Sequence, residues 1–175
     1  MGKKKYVAYV GTYTHGTSKG IQVYDVDVEN GTLTERSEVE VSNASHLAVS
    51  KNGKYLYSIE DEGVAVFERD ENGDLSRINS VDINGMRGCY LATDVDGRYL
   101  YVAGYHDGKV TVVHTHKDGR LGSVMDGVFH KGLGSVAERN FRPHVNCVRP
   151  TPDNKYLCAV DNGIDQVKIY RINKK

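Results

Sequence analysis

Hydrophobic and polar positions alternate along this chain in short runs, each closed by an Asn-Gly, Asp-Gly or similar turn pair. The stretch Val95–Leu121 shows the unit. Asp96-Gly97 reads as a hairpin turn, because the second turn position needs φ > 0 and glycine takes it at no steric cost. Tyr99–Gly104 is aromatic and β-branched, as a largely buried strand is. A looser loop, Tyr105-His106-Asp107-Gly108, leads into a second strand, Lys109–His116. Asp118-Gly119 then closes the next hairpin, and Leu121 opens a further strand.

Copies of this unit set the architecture. Lys54-Tyr55-Leu56-Tyr57, Arg98-Tyr99-Leu100-Tyr101 and Lys155-Tyr156-Leu157-Cys158 correspond, with Lys5-Tyr6-Val7-Ala8 as a fainter copy. Asn30-Gly31, Asn72-Gly73 and Asp118-Gly119 correspond at the second hairpin. Spacings of about 42 to 57 residues match the period of a four-stranded propeller blade. The pattern predicts an all-β protein: a β-propeller of four-stranded antiparallel blades, strands a to d running outward. The blades fall at about 6–41, 45–83, 89–130 and 144–173, within a single partial propeller domain over 1–175. The first blade has only b, c and d, and the last only a, b and c. That makes fourteen strands, about three and a half blades.

Composition narrows the function classes. Of 175 residues, 39% are hydrophobic and 26% charged, an ordinary globular balance. The 23 basic and 23 acidic residues are interspersed and sum to zero, so no nucleic-acid surface is expected. No run approaches the length of a membrane span, and no apolar segment follows basic Met1–Lys5, so neither a membrane partner nor a signal peptide is expected. Tyr6 stands where N-myristoylation would need Ser or Thr. Cys89, Cys147 and Cys158 lack metal spacing and lie on strands, consistent with reduced, buried thiols in a cytoplasmic protein.

In a propeller the a–b and c–d turns share one face, and the b–c loops and d–a connections the other. Here the first set is terse, and the second is longer and chemically richer, as binding loops are. The b–c loops carry His15, Glu60, Asp61, Glu62, Tyr105, His106, Asp161 and Asp165. The d–a connections carry Asn43, Arg87, Arg139, Arg142 and His144. Where strand a begins, near the central channel, Asn43 and Ser45, Arg87 and Cys89, and His144 and Asn146 occupy matching positions. His144 is a candidate general base or a polar rim residue. Arg142 and Arg87 can hold a phosphate or carboxylate, or pair with Glu60, Glu62 or Asp161. Tyr105, His106, Asn146, Glu60 and Asp161 complete the candidate substrate-binding set. His114-x-His116 places two imidazoles on one strand face without a third ligand nearby, so no metal is expected. His46 and His130 read as structural, and Asp94, Asp96 and Asp153 as turn residues.

Val10-Gly11-Thr12-Tyr13-Thr14, Lys54-Tyr55-Leu56-Tyr57, Gly104–Val110, Pro143-His144 and Asp161-Asn162-Gly163-Ile164-Asp165 together resemble the seven-bladed lactonase family, which includes propeller-type 6-phosphogluconolactonases and carboxymuconate-lactonising enzymes. The likeness runs along the whole chain and corresponds to the N-terminal half of a family member. Many family members carry Pro-His-x-His where this chain has Pro143-His144-Val145-Asn146, so the second His is missing here. The resemblance implies lactone ring opening or closure without metal or other cofactor, a His moving a proton and Arg neutralising anionic charge. On that basis His144 and Arg142 are the catalytic candidates, and the ligand is a small anionic lactone or sugar phosphate. An open array also leaves its end blades half bare, so a homodimer closing a ring is expected, with an eight-bladed, two-fold geometry favoured.

Overall fold

A computed structural model of the chain describes residues 5–135, 138 and 140–173. Arg139 and residues 1–4, including the myristoylation position, lie outside the described residues. Fourteen strands form four antiparallel sheets among those residues, with no helix. The first sheet holds β1 (Tyr6–Gly11), β2 (Gly20–Asp27) and β3 (Thr32–Glu40). The second holds β4 (Leu47–Val49), β5 (Tyr55–Glu60), β6 (Gly63–Arg69) and β7 (Leu75–Asp82). The third holds β8 (Tyr90–Thr93), β9 (Tyr99–Gly104), β10 (Lys109–Thr115) and β11 (Leu121–Phe129). The fourth holds β12 (Val145–Pro150), β13 (Tyr156–Asp161) and β14 (Gln166–Arg171). Each strand pairs with its sequence neighbour, the meander of a propeller blade, and three and a half blades result.

The core lies between blades. Ile21, Val41, Leu56, Ala65 and Phe67 fill the layer between blades one and two. Ile59, Val64, Val66, Leu91, Leu100, Val102 and Leu121 fill the next. Tyr101, Ala103, Val110, Val145, Val148, Leu157 and Ala159 fill the third. Period-two alternation aims these side chains: Leu100 and Val102 face back toward blade two, Tyr101 and Ala103 forward toward blade four. The Asn79 side chain spans blades, accepting from Leu121 N at 3.0 Å and donating to Leu121 O at 2.8 Å. The three cysteines are free thiols and half-buried, not buried as the composition suggested. Cys158 lies on the middle strand β13, on the face that alternates with buried Leu157 and Ala159, and burial pushes the Cys89 thiol up to about 11.

The turns are built as their sequences require. Gly53 and Gly97 take positive φ (73° and 69°) in the a–b turns of blades two and three. In blade four the same place falls to Asn154, at φ 55°, whose side-chain amide donates to Asp94 at 3.2 Å and Asp96 at 3.1 Å. Each completed c–d pair also carries a bulge, at Val23/Tyr24, Val66/Phe67 and Val112/Val113, which adds twist to the outer edge.

Candidate functional site

On the loop face, each d–a connection is hydrogen-bonded to the b–c loops of both blades that it joins. Asn43, between blades one and two, accepts from Thr14 N at 2.9 Å and donates to Asp61 at 2.7 Å. Between blades two and three, Met86 N donates to Asp107 at 2.9 Å and Arg87 pairs with Asp61 at 3.0 Å. Between blades three and four, His144 bonds the Tyr105 carbonyl at 2.7 Å, and its main-chain N–H donates to Asp161 at 2.7 Å. Buried main-chain groups need such partners, and here the loops supply them reciprocally.

His144 is 7% exposed. Its ring lies on that of Tyr105, centroids 4.3 Å apart and 18° from parallel, with Phe141 edge-on at 6.4 Å. A carbonyl oxygen can only accept, so Nδ1 facing Tyr105 O carries the proton, and Nε2 of the neutral ring is an acceptor. No described residue hydrogen-bonds that Nε2. Close approach depends on Gly163, where a Cβ would overlap the Arg142 carbonyl oxygen and crowd His144.

The cations are arranged differently from one another. Arg87 is half-buried; its guanidinium pairs with Asp61 and lies 5.3 Å over the Tyr13 ring. The Asn43 amide, with Arg87 and Ser42, holds the Asp61 carboxyl below the ordinary carboxylate range. Arg142 is exposed, lies 5.5 Å over the Phe141 ring, and forms no ion pair among the described residues. Asp165 accepts from Ser135 N at 2.6 Å, Ser135 Oγ at 2.7 Å and Asn140 Nδ2 at 2.6 Å. It thereby ties Ser135 and Asn140 to the blade-four loop, and the Ser135 N–H lowers its carboxyl.

The fold thus brings Tyr105 against His144 and leaves other candidates in separate surroundings. Glu60 pairs with Arg77 at 2.7 Å, within its own blade. His106 is exposed and edge-on to Tyr105. Asn146 is exposed because a register shift between Val145 and Cys147 drops it from the ladder. Asp161 is fully buried and spends its oxygens inside the protein, accepting from His144 N, Gly163 N (3.0 Å) and His130. Asn43 and Cys89 are held inward too, Cys89 donating to Val145 O at 3.4 Å. His46 accepts from Leu91 N at 3.1 Å, its ring tilted 34° to that of Tyr90 at 4.2 Å. His114 and His116 sit edge-on, 4.7 Å apart, and no cluster of three metal-ligating side chains occurs among the described residues.

Sequence reading passed over Asp61 as the partner of Arg87, Phe141 beside His144, and the pair Asp107 and Lys109. Lys109 is buried and donates to Ile83 O at 2.9 Å and Asn84 O at 2.8 Å, bracing the connection that carries Arg87. The one available signal was Asp107-x-Lys109 after a strand, which also fits a plain turn.

The family model "Lactonase, 7-bladed beta-propeller" matches residues 7–175. A 6-phosphogluconolactonase of Bacillus subtilis (strain 168) is 37% identical over 96% of this chain and 50% of its own. A 6-phosphogluconolactonase of Formosa agariphila is 30% identical over 94% of this chain and 49% of its own. Among solved structures, the periplasmic gluconolactonase of Pseudomonas aeruginosa superposes with a TM-score of 0.89 at 32% identity, over 96% of this chain and 50% of that one. The chain spans about half the length of these relatives.

Proposed function

Since the chain belongs to the seven-bladed lactonase propeller family, we propose that its loop face hydrolyses a sugar lactone bearing an anionic group, such as 6-phosphogluconolactone. The observation that carries this reading is the His144 ring, its proton fixed on Nδ1 by the Tyr105 carbonyl and Nε2 left as acceptor. Nε2 takes a proton from water as that water adds to the lactone carbonyl. The resulting imidazolium returns the proton to the ring oxygen as the carbon–oxygen bond breaks, giving the open hydroxy acid. Arg142, exposed and without an ion pair among the described residues, neutralises the developing oxyanion. Arg87 holds the anionic substituent, and Tyr105, His106 and Asn146 are further substrate contacts.

A second reading, a non-catalytic half-propeller acting as a binding or self-assembly module, is favoured by Asn146, which cannot act as a base and stands where the family pattern has a second His. Hydrolysis of 6-phosphogluconolactone, followed by acid release against the spontaneous rate, separates the two. The enzymatic reading requires a rate above background that His144→Ala removes. Equal rates for wild type and His144→Ala would leave only the module.

A further inference from the structure

Behind His144 lies a buried polar chain that the proposed chemistry does not use. Asp161, at the end of β13, has a side chain with 0% exposure, as does that of His130, just after β11; Oδ2 and Nδ1 are 2.7 Å apart. The other carboxylate oxygen accepts from His144 N at 2.7 Å and Gly163 N at 3.0 Å. On its far side, His130 Nε2 meets the Tyr170 hydroxyl at 2.9 Å. A carboxylate can only accept, so His130 Nδ1 carries a proton, and in the neutral ring Nε2 accepts from Tyr170. Burial pushes the His130 imidazolium down more than Asp161 raises it, so the neutral form is the one at hand.

A buried carboxylate held by three donors is fixed in position and orientation. We infer that Asp161 and His130 are positioning residues for His144: they fix its main chain so that Nδ1 stays on the Tyr105 carbonyl and Nε2 keeps its lone pair. This rests on the lactonase reading only for the kinetic part of its test. Without His130, Oδ2 is a buried, unpaired charge that must rotate or draw in water, and the His144 and Gly163 N–H groups lose their fixed acceptor. His130→Asn places an amide donor near the former Nδ1, and so retains the restraint. His130→Leu removes it.

The test is two-dimensional ¹H–¹⁵N NMR of the imidazoles in purified wild type, with His144 assigned by its loss in His144→Gln. Wild type is expected to show the proton on Nδ1 in both His130 and His144. A bare Nδ1 on His130 in wild type overturns the inference without any variant. In His130→Leu, His144 is expected to give averaged tautomer signals, and in His130→Asn the wild-type pattern. An unchanged His144 pattern in folded His130→Leu also overturns it. If wild type hydrolyses lactone, kcat should fall by roughly 10- to 100-fold in His130→Leu, with KM within about twofold and rescue by His130→Asn. If wild type hydrolyses nothing, the lactonase reading fails, and the tautomer patterns still decide the positioning role.

Discussion

His144 and Tyr105 are joined twice, ring against ring at 4.3 Å and Nδ1 to carbonyl at 2.7 Å. The stack is worth about 0.5–1.5 kcal/mol and holds the plane of the imidazole. The main-chain bond survives any side chain at position 105, so the two contributions are separable. Tyr105→Phe should hydrolyse lactone like wild type, and Tyr105→Ala about tenfold more slowly with its melting temperature little changed. Equal rates in the two variants would show that the stack is idle.

Arg87 is already paired with Asp61, so its hold on a ligand competes with that pair. Arg87→Ala should raise KM for a phosphate-bearing lactone about tenfold, and leave KM for the neutral lactone near wild type. Equal increases for both lactones would assign Arg87 to bracing its loop.

Because the folded-state pKa of His130 lies below its ordinary 6.5, the unfolded chain binds the extra proton first as pH drops. The stability from burying the neutral ring is complete above that value and is lost as pH falls below it. His46, also lowered by burial, acts in the same direction. Urea midpoints measured from pH 8 to 5 should therefore decline, and decline less steeply in His130→Asn. Parallel profiles for the two proteins would contradict the buried neutral imidazole.

Gly163 supports the turn on which His144 rests, and a Cβ there would run into the Arg142 carbonyl. Gly163→Ala should cost about 1–3 kcal/mol by urea titration and reduce lactone hydrolysis more than the stability loss explains. A variant as stable as wild type would mean that the two segments separate freely.

The outward faces of the first and last blades remain open: Tyr6 and Val10 on one, Val167 (61% exposed) and Ile169 (65%) on the other. Three strands about 4.8 Å apart and roughly 18 Å long bare on the order of 260 Å² of sheet at each end, and the two together fall in the range of the largest apolar patch usual on a monomer. This 175-residue chain is expected to dimerise through these faces, and light scattering at micromolar concentration reads the mass. A stable monomer would rule out that pairing. Val167→Lys with Ile169→Lys should shift a dimer toward monomer.

The strands were legible because alternation and turn pairs act locally: Tyr99 to Gly104, closed by Asp96-Gly97 before it, needs no distant partner to be read. Strand β4 (Leu47–Val49) is short, and His46 just before it keeps its carbonyl on Ile59 N at 3.0 Å while its ring reaches across to accept from Leu91 N of the next blade. The loop face was legible as a place, and less so as a set of pairings. Which carboxylate meets Arg87 depends on how blades two and three dock, and the polarity of Glu60, Asp61 and Glu62 does not distinguish them. His130 and Asp161 lie 31 residues apart, and their pairing follows from the outer strand of one blade delivering its end beneath the next.

The three core layers lie in series, each shared by two consecutive blades and none by all four. Blades two and three are gripped on both sides, while blades one and four are gripped on one. Fraying therefore begins at the ends, and amide exchange should be faster in β13 and β14 than in β5 and β9. His144 and Asp161 belong to the fourth blade, so the geometry proposed for His144 persists only as long as the seam with blade three stays shut.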